Sequence, residues 1–209
     1  MTLHDETLQL AAGGTGPRVG VLALQGDFRE HAIVLGQLGA NVSLVRRPSD
    51  LDGLSGIVLP GGESSVMDKL ARIFGLFDPL RDLVHSGFPA YGTCAGLILL
   101  ADQILDAAPG QQTLGGLDVV VRRNAFGAQN QSFETDLNIP ELGPEPVHAT
   151  FIRGPVVESV GPKARVLSAL PDGRVVAVEQ GGLLATSFHP EMNGEVRFHE
   201  YFLRRIADR

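Results

Sequence analysis

Residues 88–102, FPAYGTCAGLILLAD, contain Cys94, the only cysteine among 209 residues. It lies between Gly92 and Gly96, after the short apolar run FPAYG and before the longer run AGLILLADQIL. The first run has the length of a strand and the second reads as a helix through Leu105, so the chain must turn sharply at Cys94. A strand that passes at once into a helix strains the residue at its apex and crowds the residues beside it. Small neighbours relieve that crowding, which is why a nucleophile elbow has the form Gly-x-nucleophile-x-Gly. GTCAG has that form with a thiol at its centre. The amides that open the helix, beginning with Ala95, then face the sulfur and favour a thiolate or a developing oxyanion. A lone cysteine is otherwise a small buried hydrophobe, and that alternative stands until a base is found for it.

Upstream of the elbow, strand-like and helix-like runs alternate. RVGVLAL (18–24) has the β-branched, apolar character of a buried parallel strand. DFREHAIVLGQLGA follows with helical spacing at Phe28, Ala32, Leu35 and Leu38 and a stop at Gly39. VSLVRR and SGIVLPGG read as strands, and SSVMDKLARIFG as a helix with Val66, Leu70 and Ile73 on its apolar face. DPLRDLVHSG is a further short helix, with Pro79 in its first turn. This alternation predicts a parallel sheet with helices on both faces.

Downstream, LDVVVRR, SFETDLNI, VHATFIR, ARVLSAL, GRVVAVEQ and LLATSFH are strand-like with little helix between them. The Gly181 and Gly182 pair marks a hairpin. Phe198, Phe202 and Ile206 put one apolar stripe on a final helix. The expectation is an α/β fold of three layers, a mostly parallel central sheet with helices on both faces plus an antiparallel extension. It forms one domain over residues 18–209, after a flexible leader of residues 1–17.

Composition narrows the function. A hydrophobic share of 44% with 20% charged residues suits a soluble chain with a sizeable core. The net charge of −7 carries no basic block beyond the pairs Arg46 with Arg47 and Arg122 with Arg123, which argues against nucleic acid as a partner. One cysteine rules out an internal disulfide and a multi-cysteine metal site, and it suits a reducing cytoplasm. The opening residues lack the basic region and apolar stretch of a signal peptide, and no run reaches the roughly 18 apolar residues that would suggest a membrane span.

A thiol nucleophile needs a base, and the base an orienting group. Of the six histidines, His4 lies in the leader, His31, His85 and His199 fall in helical runs as surface or packing residues, and His148 opens a strand. His189 ends the strand LLATSFH, and Glu191 lies two residues on, beyond the stiff Pro190. That places an imidazole at a strand end with a carboxylate in reach of one nitrogen. His-x-Glu could equally be half of a metal site or a plain surface turn; beside Cys94, a Cys94–His189–Glu191 triad is the best reading. LPGGESS (59–65) is a third strand-end loop, where Gly61 and Gly62 permit close backbone approach and can offer amides to an oxyanion.

GTCAG together with SFHPE and PGGES resembles the class I glutamine amidotransferases, whose fold is flavodoxin-like. LALQGDFREH, RRNAFGAQNQSFETDL and FIRGP resemble one branch, the glutaminase subunit of pyridoxal 5′-phosphate synthase. The likeness runs from about Arg18 to the final helix. It implies that Cys94 attacks the side-chain amide of L-glutamine to form a thioester, with His189 moving the proton and Glu191 orienting it. It also implies an oxyanion hole from the amides of Gly62 and Ala95. Substrate contacts would come from Gly62, Glu63, Ser64, Arg123, Ile152 and Arg153. No cofactor or metal is implied. The partner implied is the synthase (lyase) subunit, in a large hetero-oligomeric complex. That subunit would take the ammonia through a tunnel and build it, with ribose 5-phosphate and glyceraldehyde 3-phosphate, into the pyridoxal ring. Gln25, in the loop after the first strand, is implied as a link between docking and the oxyanion hole. The chain departs from the branch in its long leader and in GGESSVM, where threonines are common after the glutamate. A γ-glutamyl hydrolase acting without a partner and a redox-sensing binding protein are the rival readings.

Overall fold

The structure, a computed structural model, describes residues 13–123, 132–152 and 154–209. Ile57 and Leu59 enter one core cluster and Val58 the other, the two-residue alternation of a strand buried on both faces. Leu183 and Ala185 are divided from Leu184 in the same way. Strands with this pattern occupy the middle of the sheet, as an all-apolar run requires.

In chain order the elements are β1 (Arg18–Leu22), α1 (Phe28–Gln37), β2 (Asn41–Val45), β3 (Gly56–Leu59), α2 (Ser64–Ile73), α3 (Phe77–His85), β4 (Ala90–Thr93) and α4 (Ala95–Leu100). There follow β5 (Ala101–Leu105), β6 (Leu117–Arg122), β7 (Phe133–Leu137), β8 (Val147–Phe151), β9 (Val156–Val160), β10 (Arg165–Ala169), β11 (Val175–Gln180), β12 (Leu183–Thr186) and α5 (Arg197–Ala207). The main sheet runs β2-β1-β3-β4-β12-β11-β9-β6-β5, with β10 also paired to β11. From β2 to β12 every pairing is parallel. Beyond β12, strands β11, β9 and β6 join antiparallel, and β5 pairs parallel with β6 at the far edge. Gln180 faces Leu183 across the two-glycine turn of the expected hairpin. Strands β7 and β8 form a separate two-stranded sheet.

Helices α2, α3 and α4 cover one face, while α1, α5 and the β7–β8 pair cover the other. Phe198 and Phe202 are fully buried, as the stripe on the last helix predicts. Aromatic rings join this face into one stack: Phe133 lies on Phe151 at 4.5 Å, and Phe151, Phe188, Phe198 and Tyr91 follow in contact. Strand order reverses between β1 and β3, so the carboxyl ends of these strands frame the crevice where open α/β sheets hold their ligands.

Three sequence expectations need correction. The helix after Cys94 stops at Leu100, and 101–105 is strand β5. Its six residues are all buried, so the run has no polar face to mark a helical period, and the amides of Leu114 and Gly115 close its end on the Leu99 carbonyl. On α2, Val66 and Ile73 face outward, whereas Met67, Asp68 and Ala71 are buried. The deciding group is Asp68, whose carboxylate accepts from the Gln112 amide and the Arg72 guanidinium and anchors the 106–112 loop. Strand β9 was not expected, because VVESV buries two successive valines beside a register shift and breaks the alternation. Of the 17-residue leader, the first 12 residues lie outside the described residues; the Gly16 amide bonds the Gly39 carbonyl, so this end packs on the close of α1.

The two glycines of GTCAG have a steric cause. A Cβ on Gly96 would lie 2.0 Å from the Leu59 carbonyl oxygen, and one on Gly92 would lie 2.5 Å from the backbone of Gly96. Both obstacles are backbone, so neither can swing aside. Gly96→Ala is expected to lower stability by about 3 kcal/mol in urea titrations, the upper range for overpacking. A loss below about 0.5 kcal/mol, the scale of surface changes, would contradict this packing.

Candidate active site

The four parallel strand ends β1, β3, β4 and β12 each deliver one loop to the crevice. After β4 the chain turns at Cys94 with φ 47° and ψ −98°, a backbone that side-chain-bearing residues rarely adopt. The Cys94 amide is held by the Thr186 carbonyl of β12 at 2.8 Å, which ties the elbow to the strand that leads to His189. His189 is fixed in turn by its own amide, which donates to the Thr150 carbonyl at the end of β8. Cys94, His189 and Glu191 are 7%, 6% and 6% exposed, so the charges they develop are poorly screened.

His189 interacts with the Cys94 side chain across the crevice. Its Nδ1 lies 2.8 Å from Glu191 Oε1 and 2.8 Å from Asp27 Oδ2. Burial works against charge on the ring, but the hydrogen bond to Asp27, the interaction with Cys94 and the hydrogen bond to Glu191 outweigh it and hold the imidazole protonated well above the usual histidine range. Glu191 is likewise opposed by burial, yet the charge of His31 and the hydrogen bonds from His189 and His31 keep its carboxyl well below the usual range.

Behind Glu191 lies a second, wholly buried pair. His31 Nε2 is 3.4 Å from Glu191 Oε1 and 3.0 Å from Thr93 Oγ1, and His31 Nδ1 is 2.8 Å from His199 Nε2. Burial pushes His199 down to about 3, so its ring is neutral. An Nε2–H on His31 aimed at Glu191 gives that carboxylate donors from both sides. Asp27, His189 and Glu191 bring ligand atoms within 4.8 Å of one another, the one such grouping among the described residues. The 2.8 Å separations from Nδ1 are hydrogen-bond distances, shorter than the roughly 3.3 Å between ligands around tetrahedral zinc, so a shared proton fits the grouping better than a cation.

The loop after β3, with the first residue of α2, carries Gly62, Glu63 and Ser64, three of the six residues named as expected substrate contacts. Gly62 has φ 143°, a left-handed conformation that only glycine holds without strain, and its neighbour Glu63 caps α2. The Glu63 amide donates to Gln25 Oε1 at 2.8 Å, so Gln25 does reach this loop. Arg123 donates to Glu63 Oε1 at 2.7 Å and to Gln111 Oε1 at 2.8 Å, and Gln111 Nε2 donates to Ser64 Oγ at 2.9 Å. Glu63, Ser64, Gln111 and Arg123 thus form one polar group beside the elbow. Ile152 follows directly on β8, the strand that holds His189, and is 36% exposed. Arg153 lies outside the described residues.

A family model described as the SNO glutamine amidotransferase family matches residues 21–208. The chain belongs to this family. It is 66% identical over 193 residues to the pyridoxal 5′-phosphate synthase subunit PdxT of Leifsonia xyli subsp. xyli, covering 92% of this chain and 98% of that one. The corresponding subunit of Clavibacter michiganensis subsp. michiganensis is 64% identical, with 93% of each chain covered. A crystal structure of a glutamine amidotransferase superposes with TM-score 0.84 at 47% identity, over 90% of this chain and 98% of that chain. The resemblance carried by GTCAG, SFHPE and PGGES therefore holds, and so does the α/β architecture.

This amidotransferase brings together the thiol, imidazole and carboxylate that the sequence singled out. Sequence reasoning missed Asp27, Gln111 and the His31–His199 pair. Asp27 and His31 both stand in the quoted motif LQGDFREH, which was a signal without an assigned contact. Gln111 and His199 had none, since Gln111 meets Ser64 across 47 residues and His199 meets His31 across 168.

The neutral burial of His199 has a consequence for stability. A histidine depressed in the folded state leaves the unfolded chain binding the extra proton, so stability is complete above pH 6.5 and falls toward pH 3. Each pH unit in that window contributes about 1.4 kcal/mol at most. Thermal melts are expected to show Tm declining as pH drops below 6.5, and His199→Gln, which keeps a polar partner for His31, is expected to flatten that decline. An unchanged slope in the variant would contradict neutral burial.

Proposed function

We propose that this chain is a glutaminase that hydrolyses L-glutamine to L-glutamate and ammonia in the cytoplasm and passes the ammonia to the synthase subunit of pyridoxal 5′-phosphate synthase. The reading is carried by the buried Cys94–His189–Glu191 chain at the switch point of the sheet, in a member of a glutamine amidotransferase family. The names of the most similar relatives supply the pathway and the partner. Residues 18–209 act as a single domain in this reading. Among the described residues no helix is long and apolar enough to cross a membrane.

The chemistry follows from the placement of the groups. The Cys94 sulfur attacks the side-chain carbonyl carbon of glutamine, and the carbonyl electron pair moves to oxygen. The amides of Gly62 and Ala95 receive that oxyanion, each such donor being worth about 3 kcal/mol in the transition state. His189 gives its Nε2 proton to the departing nitrogen, so ammonia leaves as the carbon–nitrogen bond breaks and a thioester remains. His189, now neutral, takes a proton from water as the water attacks the thioester. Glutamate departs with a carbon–oxygen bond in place of carbon–sulfur, and the sulfur recovers its charge. Glu191 holds the ring in one orientation throughout and offsets the positive charge of the imidazolium. Arg123 presents a fork suited to the α-carboxylate of the substrate, with Glu63, Ser64, Ile152 and Arg153 as further contacts. Ammonia released into water is protonated and lost as a nucleophile, which is why delivery to a docked synthase subunit is required. In this reading Gln25 transmits docking to the loop that carries Gly62, a role supported by its bond from the Glu63 amide.

The test is ammonia release from glutamine by the purified chain, alone and with the synthase subunit. Release is expected to depend on that subunit and to fall at least about 10³-fold in Cys94→Ala. Equal release without the subunit would favour a self-sufficient hydrolase. Absence of release in both conditions would reject the glutaminase reading.

A further inference from the structure

Asp27 stands at the N-cap of α1, where an aspartate ordinarily accepts from the second or third amide of its helix. Here its side chain makes no cap bond. One oxygen, Oδ2, is 2.8 Å from His189 Nδ1; the other, Oδ1, is buried without a hydrogen-bond partner. The forgone cap and the orphaned buried oxygen each cost stability. The helix itself gains nothing from this arrangement. The only group that gains is His189, which already has the carboxylate of Glu191 on the same Nδ1.

Close packing fixes the contact. A Cβ on Gly61 would lie 2.3 Å from His189 Cε1 and 2.9 Å from each Asp27 carboxylate oxygen, so the loop after β3 presses on both partners. The groups facing His189 are Asp27 from the head of α1, Glu191 from its own turn and Cys94 from the elbow; His31, also on α1, acts on it through Glu191. From β8 it meets the backbone carbonyl of Thr150.

We propose that Asp27 is a positioning residue for the nucleophile and its base: as a second acceptor on the His189 Nδ1–H, it keeps the ring protonated with its Nε2–H aimed at the Cys94 sulfur. The inference rests on the Cys94–His189 pairing proposed above and adds a group that the triad does not contain. Two carboxylates beside one N–H favour the imidazolium, since their negative charge stabilises the positive ring and with it the second proton on Nε2. Asp27 touches neither sulfur nor substrate, and its whole effect passes through the ring.

The chain has a single cysteine, so alkylation by iodoacetamide reports on Cys94 alone. A sulfur facing a protonated ring reacts at lower pH than one facing a neutral ring. The rate of alkylation is to be followed from pH 5 to pH 10 for the full chain, for Asp27→Asn and for Asp27→Ser. Asn keeps the shape and an acceptor without the charge; Ser restores a helix cap, so the fold survives the loss of the carboxylate. In both variants the half-maximal rate is expected about one pH unit higher than in the native chain, which is roughly tenfold slower alkylation at a fixed pH below it. Profiles that overlay that of the native chain, with only the melting temperature altered, would make Asp27 a structural residue and overturn the proposal while leaving the glutaminase reading intact. A native profile like that of a free cysteine peptide would overturn both.

Discussion

The contact of Gly96 with the Leu59 carbonyl brings α4 against β3 closely enough that the chain leaving β4 has no room for a gradual turn. Cys94 takes up the strain in its positive φ, and the sulfur is thrown toward the carboxyl ends of the neighbouring strands. Everything else at the site is arranged around that fixed point. The amide of Cys94 is bound by β12, so the strand that leads to Cys94 and the strand that leads to His189 hold each other in register. Were the helix to stand a side chain further away, the elbow would relax and the register would no longer place the imidazole.

The site is electrostatically layered. Nearest the sulfur is an imidazole held positive, then the two carboxylates of Asp27 and Glu191, then the His31–His199 pair under a roof of Tyr91. The positive ring of His189 lies against both carboxylates, so these charges have neighbours of the other sign, the condition under which ionised groups survive away from water. The layers are contributed by α1, the β12 turn and α5, which draws the helical face of the sheet into the chemistry. The aromatic stack from Phe133 to Tyr91 gives these groups a rigid backing.

Legibility in the sequence followed the range of the interaction. Cys94 could be read because the elbow is a local device, with both glycines within two residues. His189 and Glu191 could be read because a strand end and a two-residue spacing are also local. The α2 face was misread because Asp68 turned inward for the sake of Gln112, a partner 44 residues away that no period in the helix announces. Strand β5 was hidden inside an apolar run that fits helix and strand alike, and only its pairing with β6 separates the two. Asp27 carried no local signal in the run DFREHAIVLGQLGA, and its partner lies 162 residues along the chain.

Strand β12 lies between β4 and β11 in the interior of the sheet, although it is the last strand in chain order. During synthesis the parallel half, β2-β1-β3-β4, therefore waits with an open edge while the antiparallel strands emerge. The sheet closes only when residues 183–186 clear the ribosome, and His189 arrives immediately behind them. A chain that ends before residue 183 would therefore hold Cys94 without His189 beside it and leave the β4 edge of the sheet open.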